Sequence, residues 1–136
     1  MKKKLLDSAL AICFKEAEFH PERNFYMHWS FIIQRNKLIK HATNTNGEAP
    51  RHFGYASRLT SSGKPKLHAE FNCYNKCKNI LDPRIPFEII NVRLNRLNQI
   101  KISSPCNCCY SFLKNICNCS HCYFTTDQGI WAKTIF

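Results

Sequence analysis

The sequence lacks the features that mark membrane, exported and repeat proteins. No apolar run approaches the roughly 18–20 residues that a membrane-spanning helix needs. The basic start of the chain leads into an apolar stretch that Asp7 interrupts, so a cleavable signal peptide is not expected. We find no internal repeat and no linker between domains. The sequence therefore predicts a single domain over residues 1–136, cytoplasmic and without a membrane partner.

Acidic residues are also scarce. Nine Asp and Glu oppose 20 Lys and Arg, which gives a formal net charge of +11. Such a charge attracts polyanions, nucleic acids above all. Yet Lys, Asn and Ile are abundant together, as an AT-rich coding sequence would produce, so part of the charge can be compositional. On charge alone, a nucleic-acid partner remains an open alternative.

Cysteine, by contrast, is abundant, with nine residues in 136. In a short secreted protein this count would indicate disulfide bonds. Without a secretion signal, and with cysteines close to histidine in the sequence, metal binding is the better interpretation. The hydrophobic fraction of 44% is that of a globular domain with a modest core.

Hydrophobic periodicity predicts the order helix, two-strand hairpin, helix, strand, helix, strand, strand. The predicted elements span residues 3–18, 25–34, 38–43, 67–81, 87–94, 106–117, 122–126 and 130–136. Residues 44–66 form the longest irregular stretch, of a length that is usually functional or disordered. We expect an α/β fold, a three-layer α/β/α sandwich with a mixed, about five-stranded sheet.

Two segments predict which side chains are buried. In the first helix, residues at helical spacing form the apolar face: Leu6, Leu10, Phe14 or Cys13, and Ala17. In the strand at 87–94, one face carries Ile90, Val92 and Leu94, and Ile89 lies on the other.

The segment Pro105-Cys106-Asn107-Cys108-Cys109 indicates half of a metal site. In a helix that begins near Pro105, Cys106 and Cys109 share a face, whereas Cys108 points away as a packed thiol. Thiols at a helix N-terminus ionise readily. If the helix that begins near His68 starts at the same edge of the sheet, its imidazole completes a set of two thiolates and one nitrogen. That set suits one Zn²⁺ ion, and three protein ligands leave a fourth position for water, as in catalytic sites.

Glu70 lies two residues beyond His68 in the same predicted turn. It can reach a water molecule on the metal without ligating the metal itself. A carboxylate in that place acts as a proton shuttle. The alternative, a first-turn glutamate favoured by the helix dipole, leaves its offset from His68 unexplained.

Together, His68-Ala69-Glu70 and Pro105-Cys106-x-x-Cys109 resemble the zinc signature of the cytidine deaminase-like superfamily. The order of elements is similar to the core sheet of that superfamily. The segment from Val92 to Gly129 is similar to small deaminase-like proteins of phages and large viruses, which would place the chain in a host cytoplasm. The resemblance implies hydrolytic deamination with one catalytic zinc ion, and favours cytosine over adenine as the base.

The resemblance also implies roles for individual residues. Glu70 would take a proton from water, then protonate the ring nitrogen and the leaving ammonia. The backbone N–H of Ala69 and the carbonyl of Ser104 would hold the base edge. Asn44 resembles the asparagine that contacts the sugar, with Asn46 as a rival because the loop that follows is longer than usual.

The loop segment RHFGYASR offers a further candidate contact with the substrate. Arg51, Phe53, Tyr55 and Arg58 combine aromatic and basic side chains, which can stack bases and pair phosphates of single-stranded nucleic acid. The alternative is a rim loop that buries its aromatic rings against the domain.

Three functions stay open at this point. The first is deamination of cytosine in single-stranded DNA or RNA, and the second is deamination of free cytidine, deoxycytidine or dCMP. The third is a zinc-stabilised nucleic-acid-binding module without catalysis. The oligomeric state is not predicted by any of these patterns.

Other cysteines are expected to be structural. Cys73 and Cys77 lie at helical spacing and are predicted to pack in the core. A second, structural zinc site is conceivable in the segment 117–122, formed by Cys117, Cys119, His121 and Cys122. Its spacing is too tight for easy tetrahedral closure, so we expect one metal ion and no second.

Overall fold

The computed structural model describes residues 2–19, 27–44, 57–59, 65–115 and 117–136, with the backbone alone at 57–59 and 65–67. Three α-helices lie in these ranges: Lys2–Ala17 (α1), Ala69–Cys77 (α2) and Asn107–Asn115 (α3). The strands there are Met27–Gln34 (β1), Lys37–Thr43 (β2), Ser57–Leu59 (β3), Pro65–Leu67 (β4), Phe87–Leu94 (β5), Ile100–Lys101 (β6), Cys119–Thr125 (β7) and Trp131–Ile135 (β8). No helix in these ranges has both the length and the apolar character that crossing a membrane requires.

Six strands form one mixed sheet in the order β2-β1-β5-β7-β8, with the short β6 paired to β5. The pair β5 and β7 is parallel, and the other pairs in this sheet are antiparallel. Strands β3 and β4 form a separate antiparallel pair. The predicted α/β sandwich with a mixed sheet is confirmed, and the short β3, β4 and β6 are additions to it.

The sheet separates two hydrophobic cores. On one side, α1 packs against a cluster that includes Phe31, Ile90, Val92 and Leu94. On the other side, α2 and α3 pack against a cluster that includes Ile89. The predicted alternation of β5 is therefore confirmed residue by residue. Both faces of the central strands are covered, as the apolar composition of β1 and β5 requires.

The buried face of α1 differs in two details from the prediction. Leu6, Cys13 and Ala17 are buried, but Ala9 is buried where Leu10 is only half-buried, and Phe14 is 36% exposed. Of the two alternatives for the third position, the structure selects Cys13.

Several predicted boundaries were wrong by a few residues. Helix α2 begins at Ala69 rather than 67 and ends at Cys77 rather than 81, where turns lead towards the two prolines. Helix α3 spans Asn107–Asn115 rather than 106–117. Strand β7 begins three residues earlier than predicted, because pairing with β5 and β8 recruits the polar residues around His121.

Tight turns connect the hairpins β1–β2 and β7–β8. Arg35 and Asn36 adopt positive φ angles of 56° and 60°, which is the backbone of a two-residue hairpin turn between β1 and β2. Gly129, with a φ of 78°, serves the turn between β7 and β8. Both turns lie in the gaps between the predicted strands, at 35–37 and 127–129.

Candidate metal centre

The N-termini of α2 and α3 meet, as the sequence predicted. His68 and Cys106 each lie one residue before the first residue of their helix. His68 is the N-cap of α2, with extended backbone (φ −76°, ψ 155°) and a carbonyl that accepts from the Asn72 N–H at 3.0 Å. Cys106 occupies the equivalent place before α3. Its carbonyl accepts from the Tyr110 N–H at 2.7 Å, and the Cys109 N–H donates to its sulfur at 3.5 Å. Each residue therefore also starts a helix.

Three side chains converge between these helix ends. The Nδ1 atom of His68 lies 3.2 Å from Sγ of Cys109 and 3.5 Å from Sγ of Cys106. The three ligand atoms all lie within 4.8 Å of one another, and no other group of His, Cys, Asp and Glu in the described ranges meets this criterion. Tetrahedral zinc, with bonds of about 2.3 Å to sulfur and about 2.0–2.1 Å to nitrogen, places sulfur and nitrogen about 3.5 Å apart. The donor set and its spacing fit a metal ion and are compatible with zinc.

The two thiols of this group are electrostatically unequal. The hydrogen bond between them lowers the pKa of Cys106 and raises that of Cys109, and burial raises the pKa of Cys109 further. His68 also favours the Cys106 thiolate. Cys109 is buried, whereas His68 and Cys106 are half-buried, so the group is accessible from one side. Ligation of a cation by both sulfurs would release the remaining thiol proton.

Glu70 stands beside this group and is not part of it. Its side chain is buried, with a residue exposure of 1%, and its Oε2 atom accepts a hydrogen bond of 3.1 Å from Asn91 Nδ2. The same Nδ2 donates to the Ser103 carbonyl at 3.1 Å, and the Ser30 hydroxyl donates to Asn91 Oδ1 at 2.7 Å. Asn91 thus holds one oxygen of the carboxylate in a fixed place at the centre of the sheet.

The polar residues of this network were missed by the sequence reasoning. A signal did exist, since Ser30 and Asn91 interrupt two otherwise apolar strands. A buried polar residue in such a strand must find a hydrogen-bond partner. The two residues pair directly across β1 and β5. Their relation to Glu70 depends on the docking of α2 on the sheet, which no local pattern encodes.

A second set of hydrogen bonds fixes the segment that precedes α3. The Ser103 hydroxyl donates to the Asn91 carbonyl at 2.8 Å, and the Ser103 N–H donates to the Thr125 carbonyl at 3.0 Å. The Thr125 N–H in turn donates to Ser103 Oγ at 2.8 Å. Ser104, the predicted base-edge residue, follows directly and has an exposed side chain. Its carbonyl therefore belongs to a firmly held segment.

His28 faces the same carboxylate from β1. Its Nε2 atom lies 4.0 Å from Glu70 Oε1. That nitrogen is buried and has no hydrogen-bond partner among the described residues. Burial lowers the pKa of His28, while the neighbouring Glu70 carboxylate opposes this effect. His28 was not predicted as a site residue, because a lone histidine in an aromatic strand belongs to no recognisable motif.

Some of the remaining predicted substrate contacts lie within the described ranges, and the others lie outside them. Asn44 follows β2 and pairs with His28, whose N–H donates to Asn44 Oδ1 at 3.0 Å and whose carbonyl accepts from the Asn44 N–H at 3.0 Å. Ala69 is the buried first residue of α2. The backbone of Arg58 lies in β3 and is paired opposite that of Lys66 in β4. The residues Asn46, Arg51, Phe53 and Tyr55 lie outside the described ranges.

Six of the other seven cysteines are buried in the two cores, and Cys108 is half-buried. Cys73 and Cys77 are buried between α2 and the sheet, as predicted. Cys117, Cys119 and Cys122 are buried in the same cluster, and burial raises the pKa of each thiol. His121 instead contacts the Ser120 hydroxyl, at 2.9 Å.

The site therefore combines two thiols and one imidazole, which can hold a metal ion, with a separate buried carboxylate. This arrangement can bind a cation and move a proton within one small volume. Comparison of the chain with protein-family models, with curated proteins and with solved structures finds no match.

Proposed function

We propose that this protein is a zinc-dependent hydrolytic deaminase that converts cytosine to uracil, with single-stranded nucleic acid as its substrate. The observation that carries the proposal is the place of Glu70. It is a buried carboxylate two residues from one ligand, held by Asn91 and outside the three-ligand group. A purely structural metal site has no use for such a carboxylate, whereas hydrolysis needs one.

The ligand count supports catalysis in the same way. Structural zinc sites are closed by four protein ligands, and catalytic sites have three. His68, Cys106 and Cys109 would hold the ion. A zinc ion so held supplies Lewis acidity, which brings the pKa of water close to neutrality.

Glu70 would act as the proton carrier. It accepts a proton from the attacking water and delivers it to the ring nitrogen next to the reacting carbon. A second proton then passes through the carboxylate to the amino group, so that the C–N bond breaks and ammonia leaves as the new C=O bond forms. One water and one cytosine are consumed, and one uracil and one ammonia are produced. The hydrogen bond from Asn91 fixes Oε2, and Oε1 faces His28.

The choice of substrate is supported by the resemblance and the charge. The H-A-E and P-C-x-x-C residues resemble enzymes that act on cytosine or adenine. The net charge of +11 favours a polyanionic substrate. A free nucleoside or nucleotide remains the alternative, because a small domain suits a small substrate as well.

The deciding experiment is a deamination assay with the zinc-loaded protein. Single-stranded DNA and RNA with cytosine would be tested beside free cytidine, deoxycytidine and dCMP, with the products identified by mass. Glu70→Gln should abolish conversion. The matched control is Glu18→Gln at an exposed glutamate, which should convert substrate at the wild-type rate.

The outcomes separate the three functions. Conversion of oligonucleotides alone supports the proposal, and conversion of free compounds alone replaces its substrate while leaving its chemistry intact. If the wild-type protein and Glu70→Gln were equally inert on every substrate, including the adenine counterparts, catalysis would be refuted. Zinc binding together with oligonucleotide affinity would then favour a non-catalytic binding module.

A further inference from the structure

His28 occupies a position that calls for a ligand. Its Nε2 atom is buried and lacks a hydrogen-bond partner among the described residues. Unpaired buried polar atoms are rare in folded proteins, because each costs the free energy of its lost hydration. The Glu70 carboxylate faces this nitrogen, but its Oε1 atom lies 4.0 Å away, too far for a hydrogen bond.

The placement of His28 is fixed by its backbone. Two hydrogen bonds of 3.0 Å join it to Asn44 at the end of β2. On β1 it precedes Ser30 by two residues, so both side chains lie on the face of the sheet that α2 and α3 cover. Its side chain keeps 19% of its surface exposed, although the Nε2 atom itself is buried.

The gap between the two side chains has the chemistry of an amino-group site. A nitrogen atom can lie at a hydrogen-bonding distance of about 2.8–3.0 Å from both Nε2 and Oε1 when these atoms are 4.0 Å apart. A carboxylate only accepts, and a neutral imidazole with its proton on Nδ1 accepts at Nε2. Two acceptors facing one point match a group with two N–H bonds.

We infer that His28 and Glu70 together bind the exocyclic amino group of the substrate, each accepting one of its hydrogens. The inference rests on the proposed function and adds a residue that recognises the leaving group. Burial lowers the pKa of His28, which is consistent with a neutral, accepting ring. His28 then distinguishes an aminated base from its deaminated product, whose oxygen at the same place offers no hydrogen.

The test measures binding in a chain that does not turn over. In a Glu70→Gln background, equilibrium affinity would be compared for cytidine and for the otherwise identical 2-pyrimidinone riboside, which lacks the amino group. The same pair of bases would be placed in a single-stranded DNA oligonucleotide. We expect His28→Val to weaken binding of the aminated ligand about 2- to 10-fold, the range of one neutral hydrogen bond. Affinity for the ligand without the amino group should not change.

Two further variants complete the design. His28→Gln retains an acceptor and should recover part of the preference for the aminated ligand. His41→Val is the matched control, a strand histidine on β2 that pairs with Glu16 at 2.7 Å, and it should leave the preference unchanged. Thermal melts would confirm that each variant is folded.

The results distinguish this inference from the proposed function. Equal weakening for both ligands by His28→Val, or no weakening for either, would overturn the role of His28 while wild-type turnover still supports the deaminase. If the wild-type chain converts no substrate and the Glu70→Gln chain binds neither ligand, the proposed function is overturned, and the inference with it. If Nε2 binds an ordered water molecule instead of the substrate, His28→Val should change the affinity for both ligands equally, and this result also overturns the role of His28.

Discussion

Asn91 is the residue whose removal tests the site most directly. Its amide makes three hydrogen bonds in a fully buried place, to Glu70, Ser103 and Ser30. In Asn91→Ala, each of these partners is left without that bond, at a cost of about 1–3 kcal/mol per buried group. The Ser30 hydroxyl can rotate and the carboxylate can shift, so part of the cost is recovered. We expect a loss of about 3–5 kcal/mol in the free energy of unfolding.

A single-bond comparison sets the scale. Ser30→Ala deprives Asn91 of one donor and leaves its two donated bonds in place, so a loss of about 1–2 kcal/mol is expected. For a domain of this size, about 1 kcal/mol corresponds to a few degrees in Tm. Asn91→Ala should therefore melt about 10–20 °C below the wild type, and Ser30→Ala about 3–8 °C below it.

The assay is urea unfolding followed by tryptophan fluorescence, since Trp29 is fully buried in β1. The double variant closes a mutant cycle, and we expect its loss to fall short of the sum of the two single losses, because the residues share one bond. At a temperature where Asn91→Ala is folded, the kcat of the proposed deamination should fall about 100-fold or more, since Glu70 is no longer held in place. If Asn91→Ala lowered the free energy of unfolding no more than Ser30→Ala does, the bonds from Asn91 to Glu70 and Ser103 would not stabilise the fold, contrary to this prediction.

Three further predictions concern metal binding, stability at acid pH and the hydrophobic core. Zinc content measured by elemental analysis should be about one ion per chain for the wild type and for Cys108→Ser, and should fall below half for Cys106→Ser, which lacks one of the three ligands. Although burial raises the pKa of Glu16, hydrogen bonds from His41 and Trp29 outweigh it and hold the pKa below the ordinary 4.5. The resulting stability is present above pH 4.5 and is lost as the pH falls through the pKa of Glu16 in the folded protein. The free energy of unfolding should therefore decline less between about pH 5 and 3 in Glu16→Gln than in the wild type. The difference should be under about 1 kcal/mol, because the Glu16 side chain is partly solvated. Ile89→Ala at a fully buried site should cost about 2–5 kcal/mol in urea unfolding, whereas Ile130→Ala at a site 63% exposed should change stability by less than about 0.5 kcal/mol.

The sequence predicted those parts of the fold that depend on local periodicity. The alternation of Ile89 and Ile90 places them in different cores, and the two-residue turn at Arg35 and Asn36 closes the predicted hairpin. The start of β7 was not predictable in this way, because its polar residues pair with neighbours distant in sequence.

The candidate site shows the same division. Cys106 and Cys109 were predicted to share a face because they are three residues apart at the start of a helix. His68 was predicted to join them because two thiols and an imidazole form a distinctive ligand set. Asn91 and His28 escaped prediction because their roles arise from strand register and from the docking of α2, over separations that periodicity does not report. A polar residue within an apolar strand indicates that a partner exists, and the fold alone reveals which partner it is.

The parallel pairing of β5 with β7 bears on how the protein folds. The hairpins β1–β2 and β7–β8 are local and can form early, but β5 must insert between them. The crossover from β5 to β7 carries Cys106 and Cys109, and the connection from β2 to β5 carries His68. The three ligands therefore come together only when both long connections have closed. A metal ion held there would slow unfolding more than it speeds folding, so the candidate metal centre would lengthen the lifetime of the folded state.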